Sequence, residues 1–313
     1  MKKIIVGISS CLLGDEVRYD GGHKRNSYIE QTLGEYFEFR RFCPEVASGM
    51  TIPRPPVQLR ETEQGIRCVG VKDHDLDVTE QLQQCSQQQH DWLATLTGYI
   101  LKKDSPSCGM ERVKVYHKEY PHRSGTGLFA QYIKDHFPLM PLEEEGRLGD
   151  SGLRENFIQR VFVYHRWRQL NQQALTPHAL MVFHSRHKLI AMSHEQNQAR
   201  ELGRIAASAN NDNIEEVADR YVSALMQCLR IVASRGNHVN VLQHIQGYLK
   251  KRLDDEDKRE LIETIEKYRQ GVLPLIVPVT LLRHHFRKQP DPFIDSSYYM
   301  SPHPEELALL NDI

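Results

Sequence analysis

The stretch KIIVGISSC, residues 3–11, decides the fold of the first half of this chain. Its apolar part is short and rich in β-branched residues, which is typical of a strand buried on both faces of a parallel sheet. The small polar residues Ser9 and Ser10 then predict a turn at the carboxyl end of that strand. A second predicted strand, residues 37–42, is likewise followed by a cysteine, Cys43.

Helices and strands alternate through the rest of the N-terminal half. Residues 26–33, 79–96 and 127–136 have the character of helices, and residues 98–101 that of a strand. The proline-rich segment TIPRPP, residues 51–56, predicts an extended loop. This alternation predicts an α/β fold built on an open, Rossmann-like sheet.

The pattern changes near residue 150. From there onward apolar side chains recur at helical spacing, as at Phe157 and Val161, and β-branched runs fade. The C-terminal part is therefore predicted to be all-α. A length of 313 residues also fits two domains rather than one. We place these domains at residues 1–145 and 151–313.

Composition and charge exclude several classes of protein. Hydrophobic residues make up 40% and charged residues 26%, which excludes a disordered or fibrous chain. The longest apolar run, residues 273–282, contains two prolines and falls far short of the roughly 20 residues that a membrane span needs. The apolar run after Met1 is too short for a signal-peptide core, so a cytoplasmic protein is expected. Because the formal net charge is −1, a nucleic-acid partner would need a local basic face.

Three of the six cysteines share a context that suggests a common site. Cys11, Cys43 and Cys108 each follow a predicted strand, and loops at the carboxyl ends of strands line the ligand crevice of an open α/β sheet. Soft thiolates select zinc, copper(I) or an iron–sulfur cluster, and three ligands leave one metal position open. The alternative is that each is a small buried hydrophobe, which is our interpretation of the other three. No C-x-x-C pair is present, so the spacing alone favours no metal.

Short motifs around these cysteines form a recognisable set. They are SSCLLG and VRYDGG at residues 9–14 and 17–22, CPE at 43–45 with Gly49 and PR at 53–54, and KK with SPSCG at 102–103 and 105–109. In this order they resemble the TudS-like thiouracil desulfidase family, over roughly residues 1–145. Residues 151–313 resemble the YbgA-type helical domain, through FHSRHK, HVNVLQH, PLIVP and HPEEL, which begin at residues 183, 238, 274 and 303. Together the two regions resemble proteins that remove sulfur from 4-thiouridine in tRNA.

The resemblance implies an oxygen-sensitive [4Fe-4S] cluster held by Cys11, Cys43 and Cys108, with the fourth iron free of protein ligands. It implies a non-redox reaction in which that iron takes the thiocarbonyl sulfur, water adds to the ring carbon, and uridine and sulfide are the products. Glu45, two residues after a ligand, is the expected proton-transfer group. The alternative for Glu45 is a loop carboxylate in a surface ion pair.

Further residues of the same motifs are expected to serve this reaction. Ser105 and Ser107 are predicted to orient water or to bind the base edge, although serines at such positions also form turns. Ser10, Arg18 and Lys103 are predicted to bind the substrate, the two cations by meeting phosphate or the charge of the cluster. A solvated surface position is the alternative for Arg18 and Lys103.

A separate helical domain suits a tRNA substrate better than a small free base, because phosphate contacts supply most of the affinity for a nucleic acid. Basic residues cluster in this region and are predicted to bind RNA: Arg186, Lys188, Lys250, Lys251, Arg283, Arg287 and Lys288. Phe286, Tyr298 and Tyr299 lie near enough in the sequence to stack on exposed bases. The alternative is that these cations form an ordinary solvated face.

Two rival functions stay open on the sequence. One is salvage of free thiouracil, with the helical domain only aiding stability or dimerisation. The other is a non-catalytic protein that binds RNA or a partner, in which the cysteines are structural or hold a regulatory cluster. The expected partner is thus thiolated tRNA or a thiouracil-type small molecule, and the sequence does not distinguish a monomer from a homo-oligomer.

Overall fold

A computed structural model describes residues 3–304 of the chain. These residues fall into two compact units that divide between Gly149 and Asp150. The first is an α/β unit and the second is all-helical, which confirms the predicted fold class. Within the described range, no helix is both long enough and apolar enough to cross a membrane. Residues 305–307 of the HPEEL motif lie outside that range.

The N-terminal unit is built from strands and short helices. Its strands, in chain order, are β1 (Ile4–Ser9), β2 (Phe37–Phe42), β3 (Val57–Thr62), β4 (Gly65–Gly70), β5 (Tyr99–Leu101), β6 (Val113–His117), β7 (Tyr120–Gly125) and β8 (Leu142–Glu144). Its α-helices are α1 (Pro44–Ala47), α2 (Thr79–Gln88), α3 (His90–Ala94) and α4 (Leu128–His136).

One sheet is parallel throughout, with the strand order β2-β1-β5-β8. β1 and β2 run in register from Ile4 opposite Phe37 to Ser9 opposite Phe42, so both strands end at the same edge of the sheet. Because β5 is parallel to β1, its carboxyl end lies at that edge as well. The chain therefore delivers its strand-following cysteines to one side of the sheet.

A second, mixed sheet has the order β4-β3-β6-β7 and was not predicted. Two antiparallel hairpins, β3 with β4 and β6 with β7, join through a parallel pairing of β3 with β6. One of the predicted structural cysteines, Cys68, is fully buried in the core beside this sheet, together with Leu59 and Leu82.

The predicted helices of this unit differ from the observed ones in their continuity. The helix predicted over residues 79–96 is two helices, α2 and α3, which meet at Gln89. The helix predicted over residues 26–33 is a π-helix, Tyr28–Thr32, followed by a 3-10 helix, Leu33–Glu35. The predicted strand over residues 37–42 has the bounds of β2.

The C-terminal unit consists of packed helices. They are α5 (Ser151–Asn171), α6 (Pro177–His194), α7 (Gln196–Ala207), α8 (Ile214–Arg230), α9 (Arg235–Leu249), α10 (Asp255–Arg269), α11 (Ile276–Lys288) and α12 (Pro292–Ser296). Helices α5, α6 and α10 begin at capping side chains, Asp150, Thr176 and Asp254, which accept hydrogen bonds from backbone N–H groups of the first turn. Phe157 and Val161 are fully buried, as the helical spacing predicts.

Candidate active site

The three strand-following cysteines line one cavity of about 410 Å³ in the N-terminal unit. Cys11 lies in a short 3-10 helix, Ser10–Leu13, directly after β1. Cys43 precedes the first residue of α1, and Cys108 lies in the turn that follows β5. Cys11 and Cys108 are buried and Cys43 is half-buried. The structure thus brings together the residues that the sequence predicts as metal ligands.

The cavity holds these thiols in their neutral form unless a positive group is present. Burial raises the pKa of the Cys11 thiol to about 11, and neighbouring Cys43 adds to the effect. Burial likewise raises the pKa of Cys43, and it raises that of Cys108 with a further contribution from Cys43. Neighbouring buried thiols lose their protons together only when a cationic centre offsets the charge of the thiolates. The donor set therefore suits a metal group.

The spacing of the donors bears on which kind of metal group they suit. Within residues 3–304, no three His, Cys, Asp or Glu side chains stand close enough together to hold a single metal ion. In a [4Fe-4S] cluster each thiolate binds a different iron, so the three cysteines need not approach each other as closely as the ligands of a single ion. All three line one cavity.

Glu45 lies in the first turn of α1 and both of its carboxylate oxygens are bound. Arg54 donates to Oε2 from Nη2 at 2.6 Å and from Nε at 2.9 Å. Ser107 donates from Oγ to Oε1 at 2.6 Å, and the Oγ atoms of Ser107 and Ser105 are 3.0 Å apart. The three residues predicted to be catalytic therefore form one hydrogen-bonded chain at the wall of the cavity.

The hydrogen-bonded chain of Glu45, Ser107 and Ser105 is fixed to the loop that carries the third cysteine. The Oγ of Ser105 accepts a hydrogen bond from the backbone N–H of Cys108 at 3.1 Å. On the other side, Arg54 anchors Oε2 of Glu45 and donates to the carbonyl of Val17 at 2.9 Å. Oε1 accepts its hydrogen bond from the uncharged hydroxyl of Ser107. The arrangement places a carboxylate and two hydroxyl groups beside the cysteines, as hydrolysis of a bound group requires.

Arg54 is the functional residue for which sequence reasoning gave no role. It belongs to the segment TIPRPP, which is predicted as an extended loop and of which Pro53 and Arg54 carry part of the family resemblance, without a stated role. Its side chain is 4% exposed and that of Glu45 is 13% exposed, so the pair is buried rather than a surface ion pair. A buried arginine needs a partner, but the sequence does not show which carboxylate supplies it.

Loss of Arg54 should destabilise the protein strongly. In Arg54→Met the Glu45 carboxylate stays in a poorly hydrated place without its counter-charge, so the free energy of unfolding of the iron-free protein should fall by about 3 kcal/mol in urea titrations. The control is Arg123→Met, which removes an ion pair with Asp104 whose side chains are about half exposed. That change should cost less than about 1 kcal/mol. Equal free energies of unfolding of the two variants would show that the buried Arg54–Glu45 pair stabilises the protein no more than an exposed ion pair does.

The residues predicted to bind substrate also line the cavity. Ser10 is buried, and its Oγ has no hydrogen-bond partner within the described chain. Arg18 forms an ion pair with Asp20 at 3.4 Å, and its guanidinium lies 5.5 Å from the ring centroid of Tyr19. The backbone N–H of Lys103 donates to Glu145 at 2.7 Å. Lys24 and Lys102, for which no role was predicted, line the same cavity, which gives it a cationic wall.

The residues predicted to bind RNA lie on three segments of the helical unit. Six of them are exposed. Arg186 and Lys188 lie on α6, Lys250 and Lys251 follow α9, and Arg287 and Lys288 are the last two residues of α11. Arg283 differs, since it is half-buried and donates to the Met300 carbonyl and, at 3.2 Å, to the Ser301 hydroxyl.

Two of these segments adjoin each other. Arg252, just after α9, donates to the carbonyl of Pro290 at 3.1 Å and forms an ion pair with Asp291 at 3.4 Å. The end of α9 is thereby tied to the end of α11. We call the four exposed cations on these two segments the basic edge: Lys250, Lys251, Arg287 and Lys288.

The prediction that Phe286 and Tyr299 stack on exposed bases is wrong. Each side chain is only 4% exposed, because Phe286 lies on the inner side of α11 and the Tyr299 hydroxyl is 2.9 Å from Nδ1 of His238. Tyr298 is half-buried, and the guanidinium of Arg166 lies 3.8 Å from its ring centroid. All three rings make their contacts within the helical unit.

Two protein-family models match the chain, one in each unit. Residues 6–145 match the family described as 2-thiouracil desulfurase. Residues 188–304 match DUF1722, described as a protein of unknown function. The first match contains the cavity with all three cysteines, and the second contains the basic edge.

Two curated relatives match different halves of the chain. The uncharacterized protein YbgA of Escherichia coli (strain K12) is 30% identical over 156 residues, which are 50% of this chain and 92% of YbgA. The uncharacterized protein YbbK of Bacillus subtilis (strain 168) is 29% identical over 136 residues, 41% of this chain and 87% of YbbK. Among solved structures, the [4Fe-4S]-dependent thiouracil desulfidase TudS is 30% identical, with 48% of this chain and 94% of TudS covered and a TM-score of 0.38.

Proposed function

This chain belongs to the YbgA-like family and joins that helical domain to a 2-thiouracil desulfurase domain; on this premise we propose that it removes sulfur from 4-thiouridine in tRNA. The observation that carries the proposal is that three cysteines and the Glu45–Ser107 pair line the same cavity. The reaction replaces the thiocarbonyl sulfur by oxygen: one water is consumed, and uridine and hydrogen sulfide leave. No electron transfer is needed, because carbon keeps its oxidation state.

The residues around the cavity fit a [4Fe-4S] cluster held by Cys11, Cys43 and Cys108. Three thiols face one cavity, and the buried hydroxyl of Ser10 beside Cys11 has no hydrogen-bond partner in the described chain, so a sulfur-rich group there would give it one. Three thiolates leave one iron of such a cluster without a protein ligand. When bound, the cluster supplies a soft Lewis acid that prefers a thiocarbonyl sulfur to the oxygen of an ordinary uracil.

The protein's own side chains manage water and protons. Arg54 fixes Oε2 of Glu45, so Oε1 is the atom that takes a proton from the attacking water. Ser107 lies 2.6 Å from Oε1 and 3.0 Å from Ser105, and the two hydroxyl groups can pass a proton along the cavity wall or bind the edge of the base. Glu45 lies two residues after Cys43, and Ser105 and Ser107 lie in the loop of Cys108, so the loops that would hold the cluster also position these three groups.

The cavity has charges that support a nucleotide rather than a free base as the substrate. Arg18, Lys24 and Lys103 line it, and such cations position nucleic acids through their phosphates. A base that enters from an RNA chain brings those phosphates with it, whereas free thiouracil brings none.

A direct comparison of substrates tests this proposal. Protein purified without oxygen is given thiolated tRNA or free 4-thiouracil at equal low concentration, and loss of the thiocarbonyl absorbance is followed. We expect the tRNA to react at least about tenfold faster, since its phosphates add binding energy that the free base lacks. Equal or faster reaction of the free base would instead support salvage, and no reaction of either substrate by iron-loaded protein would support a non-catalytic role.

The basic edge should strengthen binding of tRNA in a salt-dependent way. Lys250→Glu/Lys251→Glu removes two phosphate contacts, so the slope of log affinity against log salt should fall by about 2 in tRNA-binding titrations, with the iron content unchanged. The control is Lys114→Glu/Lys118→Glu, which reverses two exposed charges on the β6–β7 hairpin, away from the cavity lining. If the two double variants bind tRNA alike, the basic edge is only a solvated face.

A further inference from the structure

Tyr19 is an aromatic residue of the cavity lining to which no role has yet been assigned. It belongs to the motif VRYDGG, residues 17–22, and lines the cavity that the three cysteines share. The residue is 44% exposed. Phe42, the other aromatic residue among the described residues of the lining, packs instead against Trp92 and Phe129, with ring centroids 5.3 Å and 5.2 Å apart. Tyr19 therefore offers aromatic surface that a ligand can cover, as in many ligand cavities.

The backbone of Tyr19 is held in place by the arginine that binds Glu45. The backbone N–H of Arg54 donates to the carbonyl oxygen of Tyr19 at 2.9 Å. The Arg54 side chain donates to the carbonyl of Val17, also at 2.9 Å, and to the Glu45 carboxylate. The segment that carries the ring and the proposed proton-transfer group therefore share one anchor. Binding of a ligand to a segment that is already fixed costs less conformational entropy.

Tyr19 lies in a tight turn. The backbone N–H of Arg18 donates to the carbonyl of Gly22 at 3.2 Å, and that of Gly21 donates to the carbonyl of Arg18 at 2.9 Å. Gly21 has a φ of +75°, a left-handed conformation that glycine adopts without strain. The guanidinium of Arg18, which also lines the cavity, lies 5.5 Å from the ring centroid of Tyr19. An aromatic ring and a planar cation thus adjoin each other at the cavity.

An aromatic ring beside a guanidinium suits a nucleobase. Enzymes that act on a base within a nucleic acid move it out of its stack, which costs free energy. In single-stranded RNA, unstacked bases pack on aromatic side chains and on the planes of arginine guanidinium groups. Such stacking accepts any base, because every base has a π-face. A base that enters the cavity loses its neighbours in the RNA, and the ring of Tyr19 can replace one of them.

We propose that the Tyr19 ring stacks on the pyrimidine base whose sulfur is removed. The inference rests on the proposed function, which supplies that base. Stacking contacts the face of the base rather than the group at its edge, so Tyr19 holds the thiolated base and the product uracil about equally. Tyr19 therefore contributes affinity, and the choice of sulfur over oxygen is left to the cluster. A contact that is equal in the bound substrate and the transition state changes KM rather than kcat.

The test is Tyr19→Ala in the full-length, iron-loaded protein under anaerobic conditions. KM for thiolated tRNA should rise about tenfold, with kcat per iron close to wild type, because the base loses one stacking partner. Uridine monophosphate carries the product base and does not react, so its Kd can be measured by calorimetry and should rise by the same factor. Tyr19→Phe keeps the ring and should retain the wild-type KM and Kd.

Further measurements separate stacking from charge and from folding. The salt dependence of KM in Tyr19→Ala should be that of wild type, because stacking releases no counterions. Tyr120→Ala is the matched control, since Tyr120 is 76% exposed on β7 and lies outside the cavity lining. It should leave KM and the Kd for uridine monophosphate unchanged. Both alanine variants replace exposed side chains, so their iron content and their unfolding in urea should match wild type.

An unchanged KM and Kd in Tyr19→Ala, with an active wild type, would overturn this inference and leave the proposed function intact. A rise in KM for tRNA without a rise in the Kd for uridine monophosphate would also overturn it, because the ring would then contact another part of the RNA. An iron-loaded wild type that desulfidates neither tRNA nor thiouracil would overturn the proposed function. The Kd values for uridine monophosphate would still decide whether Tyr19 stacks on a pyrimidine.

Discussion

Cys43→Ala is expected to abolish both iron binding and desulfidation. Two thiolates remain in the variant, and they hold a cluster at two corners only, so iron is lost during purification. Loss of activity should exceed the roughly 10–100-fold that changes in the surroundings of a metal site cause, because a ligand itself is removed. Iron analysis and the thiocarbonyl absorbance assay measure the two effects on the same sample.

Cys228→Ala is the control for that experiment. Cys228 is fully buried on α8 in the helical unit, and its Sγ lies 3.7 Å from the carbonyl oxygen of Ala191 rather than at the cavity. This variant should keep its iron and its turnover. A Cys43→Ala protein with the iron content of wild type would contradict the assignment of Cys43 as a ligand.

Glu45→Gln should keep the cluster and lose turnover. The amide has the shape of the carboxylate and can still accept a hydrogen bond from Ser107, but it cannot take a proton from water. Removal of a general base typically costs about 10²–10⁴-fold in rate. The measurement is kcat on thiolated tRNA, normalised to the iron content of each preparation.

Glu145→Gln separates the loss of an ion pair from the loss of a base. Glu145 forms a largely buried ion pair with Lys102, close to the cavity but outside the Glu45 hydrogen-bonded chain. Its replacement should reduce kcat far less than Glu45→Gln does. If the iron-loaded Glu45→Gln protein turns over at close to the wild-type rate, another group moves the proton.

The convergence of the cysteines could be predicted because it depends on strand direction alone. Once residues 3–8 and 37–42 are taken as parallel strands, their carboxyl ends must share an edge, and Cys11 and Cys43 follow those ends. The contacts of Glu45 could not be predicted in the same way. Arg54 reaches Glu45 from a loop nine residues later, and only the folded loop shows that its guanidinium points inward.

The second sheet was not predicted, although Gly65 at the β3–β4 turn, with a φ of +98°, is a usual hairpin signal; the other hairpin lacks one. The β6–β7 turn passes through Lys118, whose φ is +53°, a left-handed conformation that glycine or asparagine would ordinarily mark. The burial of Phe286 and Tyr299 could not be predicted for a different reason. Sequence proximity to basic residues does not show which side of a helix an aromatic ring occupies, and burial in the core is the commoner outcome.

In the full-length protein, Cys11, Cys43 and Cys108 are expected to hold one iron–sulfur cluster. Iron and acid-labile sulfide should be measured on anaerobically purified wild-type protein, together with its visible absorption. We expect a brown protein with about four irons and four sulfides per chain. A colourless protein that stays free of iron after reconstitution with iron and sulfide would contradict it.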